Sequence, residues 1–402
     1  MNRQRIAAVS EKVIEYGFYG LIFFLPISKA LVESFVGLVI FAFIIKKIAS
    51  RDFSRIKADA EIFWLLLALL VFNALSLINS GPFLAKGLKA LLTKWTEYFL
   101  IFMIAIDHFK DAKLIKRFLY VFVCGAMFVG ISALTQRFLG FEFFRHRSLA
   151  GQAVTGPFEN PNSLSSYLVL CLPLVIALAC LHWRKKVIAM LIALACLTLL
   201  GALLLTFSRS GWLGFLLGMV ATILVFRKKK LSLFILASFI LALFLMLPFG
   251  QRISQSFTVG GDSQRFVLWR GAIEMILEHP FLGKGLGTFM DYSSLYVPGL
   301  GGYYAHNSFL QMWAESGVFT LIAFLSLVIF VLYSGVLVYF KNRLDSSSIF
   351  LGGLIGGLFG FLVASFFDVQ LYSVQLSVLF WVMLGVTAAL ESILLRKGDS
   401  RV

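Results

Sequence analysis

Charged residues are scarce in this sequence. Asp, Glu, Lys and Arg make up 14% of the 402 residues, where a soluble domain carries about a quarter. Hydrophobic residues reach 60% and the mean hydropathy is +0.91, which excludes a soluble globular protein. Cysteine is also sparse. Cys124, Cys171, Cys180 and Cys196 all lie in apolar runs, without CxxC or Cys/His spacing. They read as small core residues, which excludes a disulfide or zinc framework. Only 8 prolines interrupt the chain. No internal repeat or low-complexity tract is visible, and neither a cleavable leader nor a separate soluble domain is expected. The "GKGLG" at 283–287 lacks the spacing of a phosphate loop and reads as a turn.

What is present is a series of apolar runs of bilayer-spanning length. Backbone polar groups in lipid must be satisfied within the segment, so the runs are expected to be helices. The expected fold is all-α and polytopic, a single membrane domain over 1–402 with about twelve spans. These fall near 13–28, 30–48, 61–78, 83–106, 117–138, 163–182, 187–206, 211–226, 231–248, 306–340, 350–367 and 373–394. The run at 306–340 is too long for one crossing, so its first part is expected to protrude or tilt. Two longer non-membrane pieces are expected, a smaller loop at 137–162 and a large helical loop at 249–305 between spans nine and ten.

The basic residues set the orientation. With the N-terminus inside, every even-numbered connection is basic: Lys46 to Lys57, Lys110 to Arg117, Arg184 to Lys186, Arg227 to Lys230, and Lys341 with Arg343. Both termini are basic too, so both are expected inside. The net charge of +16 then needs no nucleic acid. Lys29, Lys86, Lys89 and Lys94 read as snorkelling from span ends. The remaining outer cations are Arg137, Arg145, Arg147, Arg209, Arg252, Arg265, Arg270 and Lys284. Arginine offers a planar fork that suits phosphate, and its dominance here points to an anionic, phosphate-bearing ligand on the outer side.

Four stretches carry candidate chemistry. In "TFSRSGWLG" Arg209 sits in a short turn between two spans, where Ser208, Ser210 and Gly211 leave room for a ligand near the backbone; the alternative is snorkelling to lipid phosphate. In "GGDSQRFVLWRGAIEMILEHPFLGKGLGTF" Phe266, Trp269, Ile273, Ile276 and Leu277 share a helix face flanked by Arg265 and Arg270, and Pro280 ends the helix. In "YYAHNSFLQMWAESGVFTLIAF" His306 marks re-entry to a span, a place for a general base near neutral pH, with Gln311 and Glu315 following at helical spacing. His108, His182 and His279 sit at loop edges with no partner in view. In "TGPFENPNSLSSYL" Asn162 or Ser163 is expected to cap the next span, while Asn160 and Asn162 could also bond sugar or phosphate oxygens. The outer carboxylates Glu142, Glu159, Asp262, Glu274, Glu278, Asp291 and Glu315 are scattered. Divalent metals prefer clustered carboxylates, so no metal site is expected, and arginines would neutralise a leaving phosphate instead.

Together "TFSRSGWLG", "FENPNS", "SQRFVLWRGAIEMILEHPFLGKGLGTF" and "AHNSFLQMWAESG" resemble, in order and spacing, the O-antigen ligase superfamily of membrane glycosyltransferases. The resemblance covers most of the chain and is densest from 155 to 320. It implies an enzyme of the bacterial inner membrane with a periplasmic site and no cofactor or metal. Such an enzyme takes a glycan from undecaprenyl pyrophosphate and, as a ligase, passes it to a sugar of lipid A–core. It implies pyrophosphate binding by Arg209 and Arg265 and a general base at His306. Substrate contacts are expected at Arg147, Asn160, Asn162, Arg270 and Gln311. A polymerase or a protein O-oligosaccharyltransferase using the same donor remains open. A transporter of the same lipid-linked glycan fits less well, because the cations cluster on one face and no inverted repeat is visible.

Overall fold

The computed structural model describes residues 3–52, 60–149, 151–226, 259–297, 299–343 and 345–399, with 237 and 240 besides. Among the described residues the protein is helical throughout, apart from one β-bridge between Phe141 and Ser148. The helices are α1 (Arg3–Phe24), α2 (Lys29–Ser50), α3 (Ala60–Ser76), α4 (Leu84–Ala90), α5 (Thr96–His108), α6 (Ala112–Leu139), α7 (Pro161–His182), α8 (Lys186–Leu205) and α9 (Arg209–Phe226). They continue as α10 (Val259–Glu278), α11 (Phe289–Tyr296), α12 (Ser308–Lys341), α13 (Ser348–Phe366) and α14 (Val374–Asp399).

Eight helical segments among the described residues are long and apolar enough to cross a membrane, so this is a multi-pass membrane protein. They are α3 extended to Asn79, α6 to α9, and α12 to α14. Three expected spans differ for physical reasons. Helices α1 and α2 form near 13–28 and 30–48, but Glu11, Lys12 and Glu15, and Glu33, Lys46 and Lys47, load them with charge. The expected span at 83–106 forms as α4 and α5 joined through a π turn at Leu91–Trp95. The run expected at 231–248, apart from 237 and 240, and the first part of the loop at 249–305 lie outside the described residues.

Side-chain ties identify two ends of the bundle. At one, Asp107 receives Lys46 and Lys47, each at 2.5 Å, and Glu11 receives Lys46 at 2.5 Å and His108 at 3.1 Å. Lys397 meets Asp345 there at 3.3 Å. At the other, Arg145 donates to the Ile27 carbonyl, Asn79 to that of Gly283, Tyr292 to that of Ser80, and Gln375 to that of Leu25. Among the described residues, Lys46, Lys47, Lys110 and Lys397 collect at one end and His306 lies at the other. His182 and His279, like His108, have partners after all, in Tyr120 and Lys284 at 3.0 Å each.

Small residues set the closest helix contacts. A Cβ added to Gly214 or Gly218 of α9 would come within 2.6 Å of the carbonyl oxygens of Gly360 and Gly356 of α13. The α13 run "GGLIGGLFG" therefore packs backbone to backbone, as small residues permit between helices in lipid.

The long run expected at 306–340 is a broken helix. Gly317 interrupts α12 with φ 80° and ψ 173°, and a Cβ there would lie 2.0 Å from the Phe281 carbonyl oxygen. The "GKGLG" turn fills the break. Gly283, Gly285 and Gly287 all have positive φ, and the N–H groups of Lys284 and Gly285 donate to the carbonyls of Ala314 and Glu315. We expect Gly317→Ala to lower stability by about 2–4 kcal/mol, since strain and clash act together. Gly302, at φ 83° with open space around it, provides the control: Gly302→Ala should cost about 1 kcal/mol. Thermal unfolding of both variants in one detergent measures the difference, and equal losses would refute the clash.

Candidate functional site

The site begins with a cap. The structure makes Asn160 the N-cap of α7, its Oδ1 accepting the Ser163 N–H at 2.8 Å. Pro161 explains why this residue caps rather than Asn162 or Ser163: proline at the first helical position has no N–H to satisfy. Asn160 is thereby used in folding, and Asn162 is freed one turn into the site. Its amide donates to Asp368 Oδ2 at 2.7 Å, and its Oδ1 accepts from Ser208 Oγ at 2.8 Å.

Ser208 precedes α9. Its hydroxyl also accepts the Gly211 N–H at 3.2 Å and receives Ser165 Oγ at 3.0 Å. Phe207, just before it, takes the left-handed φ of 51°. Gly211 serves helix packing here, not a ligand as expected: a Cβ there would meet Ser165 at 2.4 Å. The turn thus fixes the start of α9 at Arg209.

Arg209 lines a cavity of about 390 Å³ together with Ser210 and Leu213 of α9, Arg265, Phe266 and Trp269 of α10, and Phe366 and Phe367 at the end of α13. Two guanidinium groups in an otherwise aromatic pocket favour an anion with an apolar extension. The amphipathic face expected on α10 needs correction. Leu268, Ala272, Met275 and Ile276 are the buried stripe, while Phe266, Ile273 and Leu277 are exposed. The helix packs one stripe on the α12 base and turns the other outward, where lipid can cover it. Pro280 does end the helix near Glu278. Arg270 lies on the exposed side, paired with Glu274 at 2.9 Å, and does not line the cavity.

His306 enters from α12. It is one of few non-glycine residues at positive φ, 49°, a backbone state found where a structure constrains it strongly. The constraint is visible on both sides. Asn307 caps α12 by accepting the N–H groups of Phe309 and Leu310 at 2.9 and 3.0 Å. The Ala305 N–H donates to Gln311 Oε1 at 3.2 Å. Gln311 is fully buried and also reaches Glu315, so it supports the His306 loop from beneath instead of lining the site. Glu315 in turn accepts the N–H groups of Gly287 and Phe289, tying the glycine turn to the same base.

His306 Nδ1 lies 3.1 Å from Asp368 Oδ1. A carboxylate at that distance selects the tautomer with the proton on Nδ1 and leaves the Nε2 lone pair to accept another. Asp368 is the residue that sequence reasoning missed. It follows α13 directly, in "SFFDVQ", and an acid at the end of an apolar run was the available signal. Burial would raise its pKa. The hydrogen bond and charge of His306, with the Val369 N–H and the Asn162 amide, outweigh that and hold the carboxyl below its usual value. A depressed folded pKa means stability that is present above the unfolded value of about 3.9 and lost as pH falls through the folded one. The melting-temperature gap between the native protein and Asp368→Asn should therefore be widest above about pH 5 and close toward pH 3. A constant gap over that range would show that the carboxylate contributes only shape.

The structure thus links three of the expected elements. Arg209 and Arg265 share one cavity, and His306 connects to the Arg209 turn through Asp368, Asn162 and Ser208. Arg147 stands apart, donating to the Phe158 carbonyl at 2.6 Å and so bracing the loop before α7. Among the described residues no group of His, Cys, Asp and Glu has the arrangement of a metal site.

Residues 194–325, which include Arg209, Arg265 and His306, match the O-antigen ligase family. Asn162 and Asp368 lie outside that stretch. Over 355 residues the chain is 22% identical to the ComP-specific O-oligosaccharyltransferase of Acinetobacter baylyi, an alignment covering 82% of this chain. The chain spans 63% of that relative's length.

Proposed function

We propose that this chain, a member of the O-antigen ligase superfamily, is an inverting ligase of the bacterial inner membrane. It takes a glycan from undecaprenyl pyrophosphate at the periplasmic face and joins it to a sugar hydroxyl of lipid A–core. The observation that carries the reading is the cavity shared by Arg209 and Arg265, coupled to His306 through Asp368 and Asn162.

The acceptor hydroxyl attacks the anomeric carbon. The new carbon–oxygen bond forms as the bond to the pyrophosphate oxygen breaks, with inversion at that carbon. His306 Nε2 takes the hydroxyl proton, and Asp368 stabilises the imidazolium that results. The electron pair leaves on the pyrophosphate, where Arg209 and Arg265 meet the growing charge. The aromatic lining of Phe266, Trp269, Phe366 and Phe367 suits the first prenyl units.

The similarity to an O-oligosaccharyltransferase favours a second reading, in which the acceptor hydroxyl belongs to a protein. A reconstituted assay separates the possibilities. The purified chain receives undecaprenyl-pyrophosphate glycan with EDTA present and either lipid A–core or an acceptor protein. Glycan on lipid A–core is the expected product. Glycan on the protein, or longer chains on undecaprenyl, would replace the ligase by a protein transferase or a polymerase. No product with any acceptor from folded protein would refute glycan transfer.

A further inference from the structure

A second cavity, of about 320 Å³, is lined by helices that do not line the arginine cavity. Helix α2 gives it Glu33, and the π turn and its flanks give it Lys89, Thr93, Lys94, Glu97 and Tyr98. Val374 and Val378 of α14 close the remaining wall. Tyr98 and Val378 are buried at its floor, while Glu33, Lys89, Thr93 and Lys94 are exposed around its mouth.

Four charged side chains, Glu33, Lys89, Lys94 and Glu97, line this one cavity, three of them exposed at its mouth. Among the described residues the ion pairs at this end of the bundle join Lys29 to Glu159 and Lys86 to Asp291. The π turn adds a second sign of purpose. Thr96 Oγ1 reaches back five residues to the Leu91 carbonyl at 3.0 Å, and Thr93 Oγ1 bonds the Lys89 carbonyl at 2.9 Å. One extra residue in the turn offsets the residues before and after it, and such turns recur at binding sites.

The chemistry selects a class of ligand. Paired carboxylates accept from neighbouring hydroxyls, as on a sugar ring, and lysines meet phosphate or carboxylate substituents. Leu84, Leu88 and Leu92, on the same helical stretch as Lys89 and Thr93, form an exposed apolar row. A polar head with apolar chains fits both parts. The place in the chain fits as well. Phe366 and Phe367 line the arginine cavity, Asp368 holds His306, and Val374 lines the second cavity. Ser308, two residues after His306, donates to the Asp368 carbonyl at 2.9 Å and pins this connecting segment. His306 is thus held by the short segment that runs from the lining of one cavity to the lining of the other. Inverting displacement needs the incoming hydroxyl and the leaving pyrophosphate on opposite sides of the anomeric carbon.

We infer that this second cavity receives the saccharide head of a membrane-borne acceptor carrying anionic substituents, which enters sideways between α2 and the α4–α5 segment. The inference rests on the ligase reading above and adds a place and a route for the acceptor.

Labelling and kinetics test it on the full chain. In a Cys124→Ser background, Thr93→Cys is labelled with a maleimide in detergent. Lipid A–core at about ten times its Kd should slow labelling about tenfold. Undecaprenyl pyrophosphate and phosphatidylglycerol should not. Glu97→Gln should raise KM for lipid A–core by about threefold to tenfold, the loss of one hydrogen bond, with KM for the donor unchanged. Transfer to lipid A–core without protection of Thr93→Cys overturns the inference and leaves the ligase reading standing. Equal protection by phosphatidylglycerol also overturns it, making the cavity a contact with bulk lipid. Protection by lipid A–core without any transfer supports the cavity and refutes the ligase instead.

Discussion

His306→Ala should lower kcat for glycan transfer by about 10²–10⁴, the range of a positioned general base, with little change in KM for the donor. The expectation follows from placement. Nδ1 faces Asp368 at 3.1 Å, so Nε2 is the nitrogen left for substrate. Asp368→Asn should cost about tenfold to a hundredfold in kcat, as lost outer partners of a working histidine do. It removes the carboxylate that fixes the tautomer, and the imidazole remains. The order of the two losses is the diagnostic. If His306→Ala retains most activity in folded protein, the base lies elsewhere and the His306–Asp368 pair is a brace for the α12 entry. If Asp368→Asn costs as much as His306→Ala, the pair acts as one unit and non-additivity in the double variant would show it.

Arg209→Ala and Arg265→Ala should each lower kcat/KM for the donor by about 10²–10³, because each removes a cation from a pocket with few other polar groups. Lysine should restore little at either position. An ammonium is a point charge, while a pyrophosphate oxygen pair is matched by a planar fork. The cavity predicts more than two single losses. Its two cations line one cavity from different helices, α9 and α10, so the effects on donor binding should be coupled in a double-mutant cycle. Strict additivity would mean that the two arginines hold different ligands. By contrast Arg270→Ala should leave transfer within about twofold, since an exposed helix pair is worth under about 1 kcal/mol; its side chain is 83% exposed and faces Glu274.

Much of this arrangement is legible in the sequence. Apolar runs of fixed length give helices because lipid offers the backbone no partner, and the boundaries of α7, α8 and α9 fall within a few residues of the expected ones. The arginines and His306 stand out because a charge or a titratable group among apolar residues is costly. Other features depend on what lies across the bundle. Asp368 belongs to no motif around it, and its meaning comes from His306, 62 residues away. The same holds for Gln311, which periodicity places near the site but whose partner, the Ala305 N–H, puts it underneath. The buried stripe of α10 could not be chosen by pattern, since apolar residues on both of its faces satisfy helical spacing. The break at Gly317 depends on the Phe281 backbone arriving from another segment.

The glycine contacts between α9 and α13 have a consequence of their own. Arg209 begins one of these helices, and Phe366 and Asp368 follow from the end of the other. Two helices meeting backbone to backbone cannot slide past each other without losing their whole interface, so the spacing between the arginine cavity and His306 is set by the glycine contacts of the two helices. The pair acts as a gauge, with its graduations at Gly214, Gly218, Gly356 and Gly360. Lengthening it by one side chain alters the distance between Arg209 and His306 while both side chains are retained.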